Sequence, residues 1–101
     1  MASQLKITVL KRELYKDYVE EYAADKNLMP CTKFEDGQEF ILDTKDMPAS
    51  FCSWAWADIQ RDIAATFHGA SFPWMERKGT IISCCTDGLR PVVFKIEKIG
   101  K

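Results

Sequence analysis

Four cysteines are the residues of this chain best suited to chemistry: Cys31, Cys52 and the adjacent pair Cys84-Cys85. A thiolate is both a nucleophile and a metal ligand, and soft thiolates suit Zn, Cu(I) or an iron–sulfur cluster. The N-terminal Met-Ala-Ser-Gln-Leu-Lys-Ile lacks the charged and apolar regions of an export signal. The expected location is therefore the cytoplasm, where thiols stay reduced and four of them in a short chain point to metal or thiol chemistry rather than disulfide stapling.

Cys31, Cys52, Cys84 and Cys85 form one candidate metal set, with His68 as the single histidine able to complete it. The cofactor would be Zn or an iron–sulfur cluster. No C-x-x-C knuckle is present, so each ligand would come from a separate segment and only the fold could gather them. Cys84 and Cys85 are neighbours in an expected strand, and neighbouring side chains point to opposite faces. Both could reach one ion only through a bulge or a turn.

The second use of these thiols is catalytic. Asp87-Gly88 is a strong hairpin-turn signal, read as a type I′ turn with positive φ at both residues. A two-residue loop there, or a four-residue loop over 86–89, sets Cys85 opposite Arg90; a three-residue loop would set Cys84 there instead. Directly opposed side chains have Cβ atoms about 5 Å apart, and a guanidinium at that range favours the thiolate. Cys85 is then the nucleophile, Arg90 its activator and Cys84 a resolving thiol. Against both uses stands plain packing, because a free cysteine behaves as a small hydrophobe and Cys52 falls on an apolar helical stripe.

Trp54 and Asp58 are candidate ligand-binding residues, an aromatic wall with a polar anchor. Trp74, after Pro73, could close the same pocket. His68 stands at a helix end, where a protonated ring would suit the dipole; it is a candidate ligand group or a cap. Asp58 and Asp62 share a helical face, and two carboxylates at that spacing usually mark a solvated face.

The elements that must position these residues follow from periodicity. Leu5, Ile7 and Val9 alternate in a strand over 5–10. Leu14, Tyr18 and Tyr22 recur every fourth residue in a helix over 13–24, ended before Pro30. Phe40 and Leu42 share a face of a strand over 38–43. Cys52, Trp56, Ile59, Ile63 and Phe67 form the stripe of a helix over 53–68, stopped at Gly69. Segments 80–85 and 92–99 make the final hairpin. The order β-α-β-α-β-β predicts a single α+β domain over 1–101, a small mixed sheet covered by two amphipathic helices. A curled, barrel-like sheet is the alternative.

Composition sets the outer limits. In 101 residues with a net charge of −1, no basic excess marks a nucleic-acid partner. No apolar run approaches the roughly 20 residues of a membrane span. Three tryptophans and six phenylalanines supply a real core.

Several segments together resemble a small prokaryotic family of stand-alone proteins of this length that has no assigned activity. The carrying motifs are Phe51-Cys-Ser-Trp-Ala-Trp-Ala-Asp-Ile, Phe72-Pro-Trp-Met and Cys84-Cys-Thr-Asp-Gly-Leu-Arg-Pro-Val, with Lys6-Ile-Thr-Val-Leu-Lys and Gly37-Gln-Glu-Phe-Ile. The resemblance implies a soluble protein and supplies no reaction.

Three functional classes remain. The leading one is a binding module for a soft metal or a small ligand between the second helix and the hairpin. The others are a thiol-based enzyme or redox protein, and an interaction protein whose exposed aromatics serve a partner, with a homodimer as one assembly.

Overall fold

Alternation of apolar and polar residues builds one sheet with one dry face, as seen in a computed structural model that describes residues 4–100. Strand β1 (Gln4–Arg12) buries Leu5, Ile7 and Val9 completely. Strand β4 (Val92–Ile99) buries Val92, Phe94 and Ile96 in the same way. These two lie at the centre of the order β2-β1-β4-β3, with β2 (Glu39–Leu42) and β3 (Thr80–Cys84) on the edges.

The α+β class and the element order are those expected. The sheet is antiparallel at every pairing rather than mixed, and it is open rather than curled into a barrel. A parallel pairing of β1 and β2 would need a crossover long enough to lay a helix across the sheet. The intervening helix α1 (Lys16–Tyr22) is too short for that and packs on no strand.

Helix α1 also departs from the expected helix over 13–24. Glu13 N–H donates to the Pro91 carbonyl at 2.8 Å and Tyr15 N–H to the Leu89 carbonyl at 3.0 Å, which holds the chain extended before the helix. Only Val19 of α1 is buried; Tyr18 and Tyr22 of the expected stripe are exposed.

Helix α2 (Ser53–Phe67) is the one that covers the sheet, against β1, β3 and β4. Its buried line is Ala55, Ile59, Ile63 and Thr66, rotated slightly from the expected stripe. Cys52, Trp56 and Phe67 flank that line, half-buried against the core. At one end of the core Phe34, Phe40, Phe51 and Phe94 meet edge to face, with centroids 5.0–6.1 Å apart. Such pairs contribute about 0.5–1.5 kcal/mol each beyond area burial.

One irregularity matters for the site. The β1–β4 register shifts between Val9 and Lys11, leaving Leu10 as the extra residue of a bulge. The bulge brings Arg12 opposite the buried Val92, onto the face that carries the core. No helix among the described residues is long and apolar enough to cross a membrane.

Candidate functional site

The site forms where three segments meet at the dry face of the sheet: loop 31–34, the first turn of α2, and the connection between β3 and β4. Together they line a cavity of about 510 Å³ with Cys31, Lys33, Phe34, Cys52, Trp54, Ala55, Cys85, Thr86, Asp87, Gly88, Arg90 and Val92. That volume lies in the range of small-ligand pockets.

Arg12 positions the first segment. Its Nη1 donates to the carbonyls of Cys31 at 3.0 Å and Phe34 at 3.2 Å, and its Nε to Asp36 at 3.1 Å. A planar guanidinium has the donor fork such a three-point hold requires. Phe34 is buried behind this loop, so Cys31 is anchored on both sides.

The second segment is the start of α2. Cys52 is the N-cap residue, and its side chain makes no capping hydrogen bond. Trp54 and Ala55 follow in the first turn, where helix N–H groups lack intrahelical partners and carry partial positive charge. Trp54 is 68% exposed, an indole standing at the cavity edge.

The third segment settles the hairpin register. Cys84 pairs with Val93, and Cys85 N–H donates to the Val92 carbonyl at 3.0 Å. Cys85 is thus opposite Val92, not Arg90. Arg90 instead turns back to Asp87, donating from Nε to Oδ2 at 3.2 Å. The Asp87 Oδ1 accepts the N–H groups of Leu89 and Arg90 at 2.9 and 3.0 Å. A side chain closes this loop, so the type I′ backbone is not used. Neither Asp87 nor Gly88 has positive φ. Burial alone would raise the Asp87 pKa, but the two N–H donors and the Arg90 guanidinium outweigh it and hold the carboxyl below its ordinary value.

The strand rule separates the adjacent cysteines. Cys85 points to the core face and is 7% exposed, whereas Cys84 is exposed on the other face. Cys84 is therefore outside the cavity and cannot resolve a bond formed there. The sulfur of Cys85 accepts the Val92 N–H at 3.3 Å, a backbone donor that fixes its orientation. All four cysteines are free.

Of the other expected residues, the structure gathers some and disperses the rest. Arg90 and Trp54 line the cavity with Cys31, Cys52 and Cys85. Asp58 does not line it; its carboxylate accepts the N–H of Thr86 at 2.8 Å and the hydroxyl at 3.0 Å, tying the loop to α2. His68 caps the far end of α2, where Lys45 donates to its Nε2 at 2.9 Å. Trp74 is 71% exposed and packs on Phe72 with centroids 5.2 Å apart, away from the cavity. Among the described residues no group of three or more His, Cys, Asp or Glu side chains is placed to hold a metal ion. The four-cysteine set is not assembled, because Cys84 faces the opposite way.

Sequence reasoning missed Arg12, Lys33, Phe34 and Asp87. Asp87 had a local signal, since an Asp at a turn commonly bonds the backbone two residues on. Arg12 had none, because its partners lie 19 to 24 residues away. Comparison of the chain with protein-family models, curated proteins and solved structures gives no match.

Proposed function

We propose that this protein is a binding module for a small anionic ligand with an apolar body, held in the cavity between α2 and the hairpin loop. The observation that carries this reading is the convergence of Cys31, Cys52, Cys85, Trp54, Lys33 and Arg90 on one cavity of about 510 Å³. Phe34, Trp54, Ala55 and Val92 supply an apolar lining. The polar groups are weighted toward positive charge. Among the described residues Asp87 is the one carboxylate in the lining, and the Arg90 Nε and two backbone N–H groups already engage it. Lys33 has no carboxylate partner among the described residues. The first turn of α2 adds partial positive charge at the same wall.

The small-ligand form of the reading is favoured over the soft-metal form, since three thiols lining a pocket need not converge on one point to contact an organic ligand. Free thiols at such a site fit a reducing compartment, and we place the protein in the cytoplasm on that ground. The test is a titration of reduced protein with a panel of small carboxylates and phosphates, read by tryptophan fluorescence and thermal shift. Saturable quenching that weakens in Trp54→Phe and Lys33→Ala is the expected result. A flat response across anionic members of the panel removes the proposal.

A further inference from the structure

The cavity holds more thiols than binding requires. Cys31 and Cys52 are half-exposed and come from separate segments, and the buried Cys85 lines the same cavity from the hairpin side. The Cys85 sulfur is held in place by the Val92 N–H at 3.3 Å. The fourth cysteine, Cys84, is next to Cys85 in sequence, exposed, and outside this cavity. Accessibility alone would make Cys84 the first thiol to react, so any chemistry directed to the other three must come from recognition in the cavity. Two cations stand ready for that. Lys33 is unpaired with any carboxylate among the described residues, and Arg90 uses its Nε on Asp87 while its two terminal amino groups make no described bond.

Resting on the ligand-binding reading above, we propose that the cavity is a thiol–disulfide exchange site for low-molecular-weight disulfides that carry carboxylates. Lys33 and the outer edge of Arg90 bind the carboxylates, and the disulfide sulfurs lie against the thiols. A half-exposed thiol, Cys31 or Cys52, gives up its proton and attacks one sulfur of the disulfide. A protein–substrate S–S bond forms, the substrate S–S bond breaks, and its electron pair leaves with the other half, which is then protonated to a thiol. Cys85 loses its proton and attacks the protein sulfur of that mixed disulfide. The second half departs with the electron pair and takes up the proton. The balance is one substrate disulfide reduced to two thiols and one pair of protein thiols oxidised to a disulfide.

The experiment uses full-length reduced protein, oxygen-free buffer, and oxidised glutathione as probe. The uncharged bis(2-hydroxyethyl) disulfide serves as comparator, and iodoacetamide quenching precedes peptide mass spectrometry. The proposal expects glutathione adducts or an internal disulfide at Cys31, Cys52 and Cys85, with Cys84 recovered alkylated. It expects the charged probe to outpace the uncharged one by about tenfold, after correction for their rates with free cysteine. That advantage should disappear in Lys33→Ala, a change at an exposed side chain with no carboxylate partner among the described residues. Cys85→Ala should stop at the mixed disulfide. Modification concentrated on Cys84, or equal corrected rates for the two probes, overturns the proposal. A parallel titration with unreactive S-methylglutathione separates the two readings. Tryptophan quenching without any cavity adduct overturns exchange and leaves binding standing. Absent quenching together with adducts confined to Cys84 overturns both.

Discussion

Asp58 and Thr86 join the helix to the hairpin loop: one carboxylate accepts both the backbone N–H and the hydroxyl of Thr86, at 2.8 and 3.0 Å. The pair lies at the solvent edge, yet the residue before Thr86 is the buried Cys85. The bond therefore holds shut the side of the loop nearest that sulfur. Asp58→Ala should cost about 1–2 kcal/mol, around the lower limit for hydrogen bonds to a charged group because this one is exposed. It should also speed alkylation of Cys85 more than that of Cys84. Urea denaturation and residue-resolved labelling check both, and an equal change at the two cysteines would show that the bond does not guard the loop.

Arg12 is the corresponding pin on the opposite wall. Its guanidinium bonds the Cys31 and Phe34 carbonyls and Asp36, all from one side chain brought inward by the bulge at Leu10. Lysine has a single ammonium and cannot reproduce the fork. Arg12→Lys should lower stability by roughly 1–3 kcal/mol and raise the labelling rate of Cys31, while Cys84 labels as before. If Arg12→Lys melts and labels like the parent, loop 31–36 is held by Phe34 packing alone.

Asp87 makes the loop sensitive to acid. Its carboxyl sits below the ordinary value in the folded protein, through the N–H groups of Leu89 and Arg90 and the Arg90 guanidinium, which outweigh burial. At neutral pH the group is ionised in both folded and unfolded chains, and its full contribution is present. As pH falls through the unfolded-state value near 3.9, the unfolded chain takes up the proton first. The contribution then declines until pH passes the lower folded-state value. Denaturation midpoints between pH 7 and pH 3 should show this decline, with a shallower slope in Asp87→Asn. Parallel slopes for the two proteins would mean that Asp87 carries none of the acid sensitivity.

Local periodicity was enough to place every strand and the long helix. Leu5, Ile7 and Val9 are completely buried because a two-residue repeat leaves an open antiparallel sheet only one dry face. Ile59 and Ile63 mark the covering face of α2 for the same kind of reason. The separation of Cys84 from Cys85 was also readable, since it needs only a regular strand. Register was not readable. Asp87-Gly88 announces a turn but not its length, and here the Asp87 side chain closes a wider loop and moves Cys85 two positions along, to Val92. The gathering of Cys31 with Cys52 and Cys85 depends on a bulge and on a guanidinium reaching across 19 or more residues, and no window of sequence contains both. The short α1 has a similar cause, because bonds from Glu13 and Tyr15 to the loop at 89–91 compete with helix formation.

The turn glycines separate the observed loop from the type I′ alternative. Gly88 does not have positive φ, and a Cβ added there would meet nothing within 4 Å. Gly88→Ala should leave stability within about 0.5 kcal/mol of the parent, or raise it slightly by restricting the unfolded chain. Gly37 differs although its surroundings are equally open. Its φ is +83°, and its N–H donates to the Val9 carbonyl at 2.7 Å, just before the bulge. An alanine there meets the left-handed penalty, so Gly37→Ala should cost about 1–2 kcal/mol. The two variants compared by thermal and urea melts give a direct reading of loop geometry. A Gly88→Ala protein destabilised as much as Gly37→Ala would require positive φ at position 88, and with it the tight turn that brings Cys85 opposite Arg90.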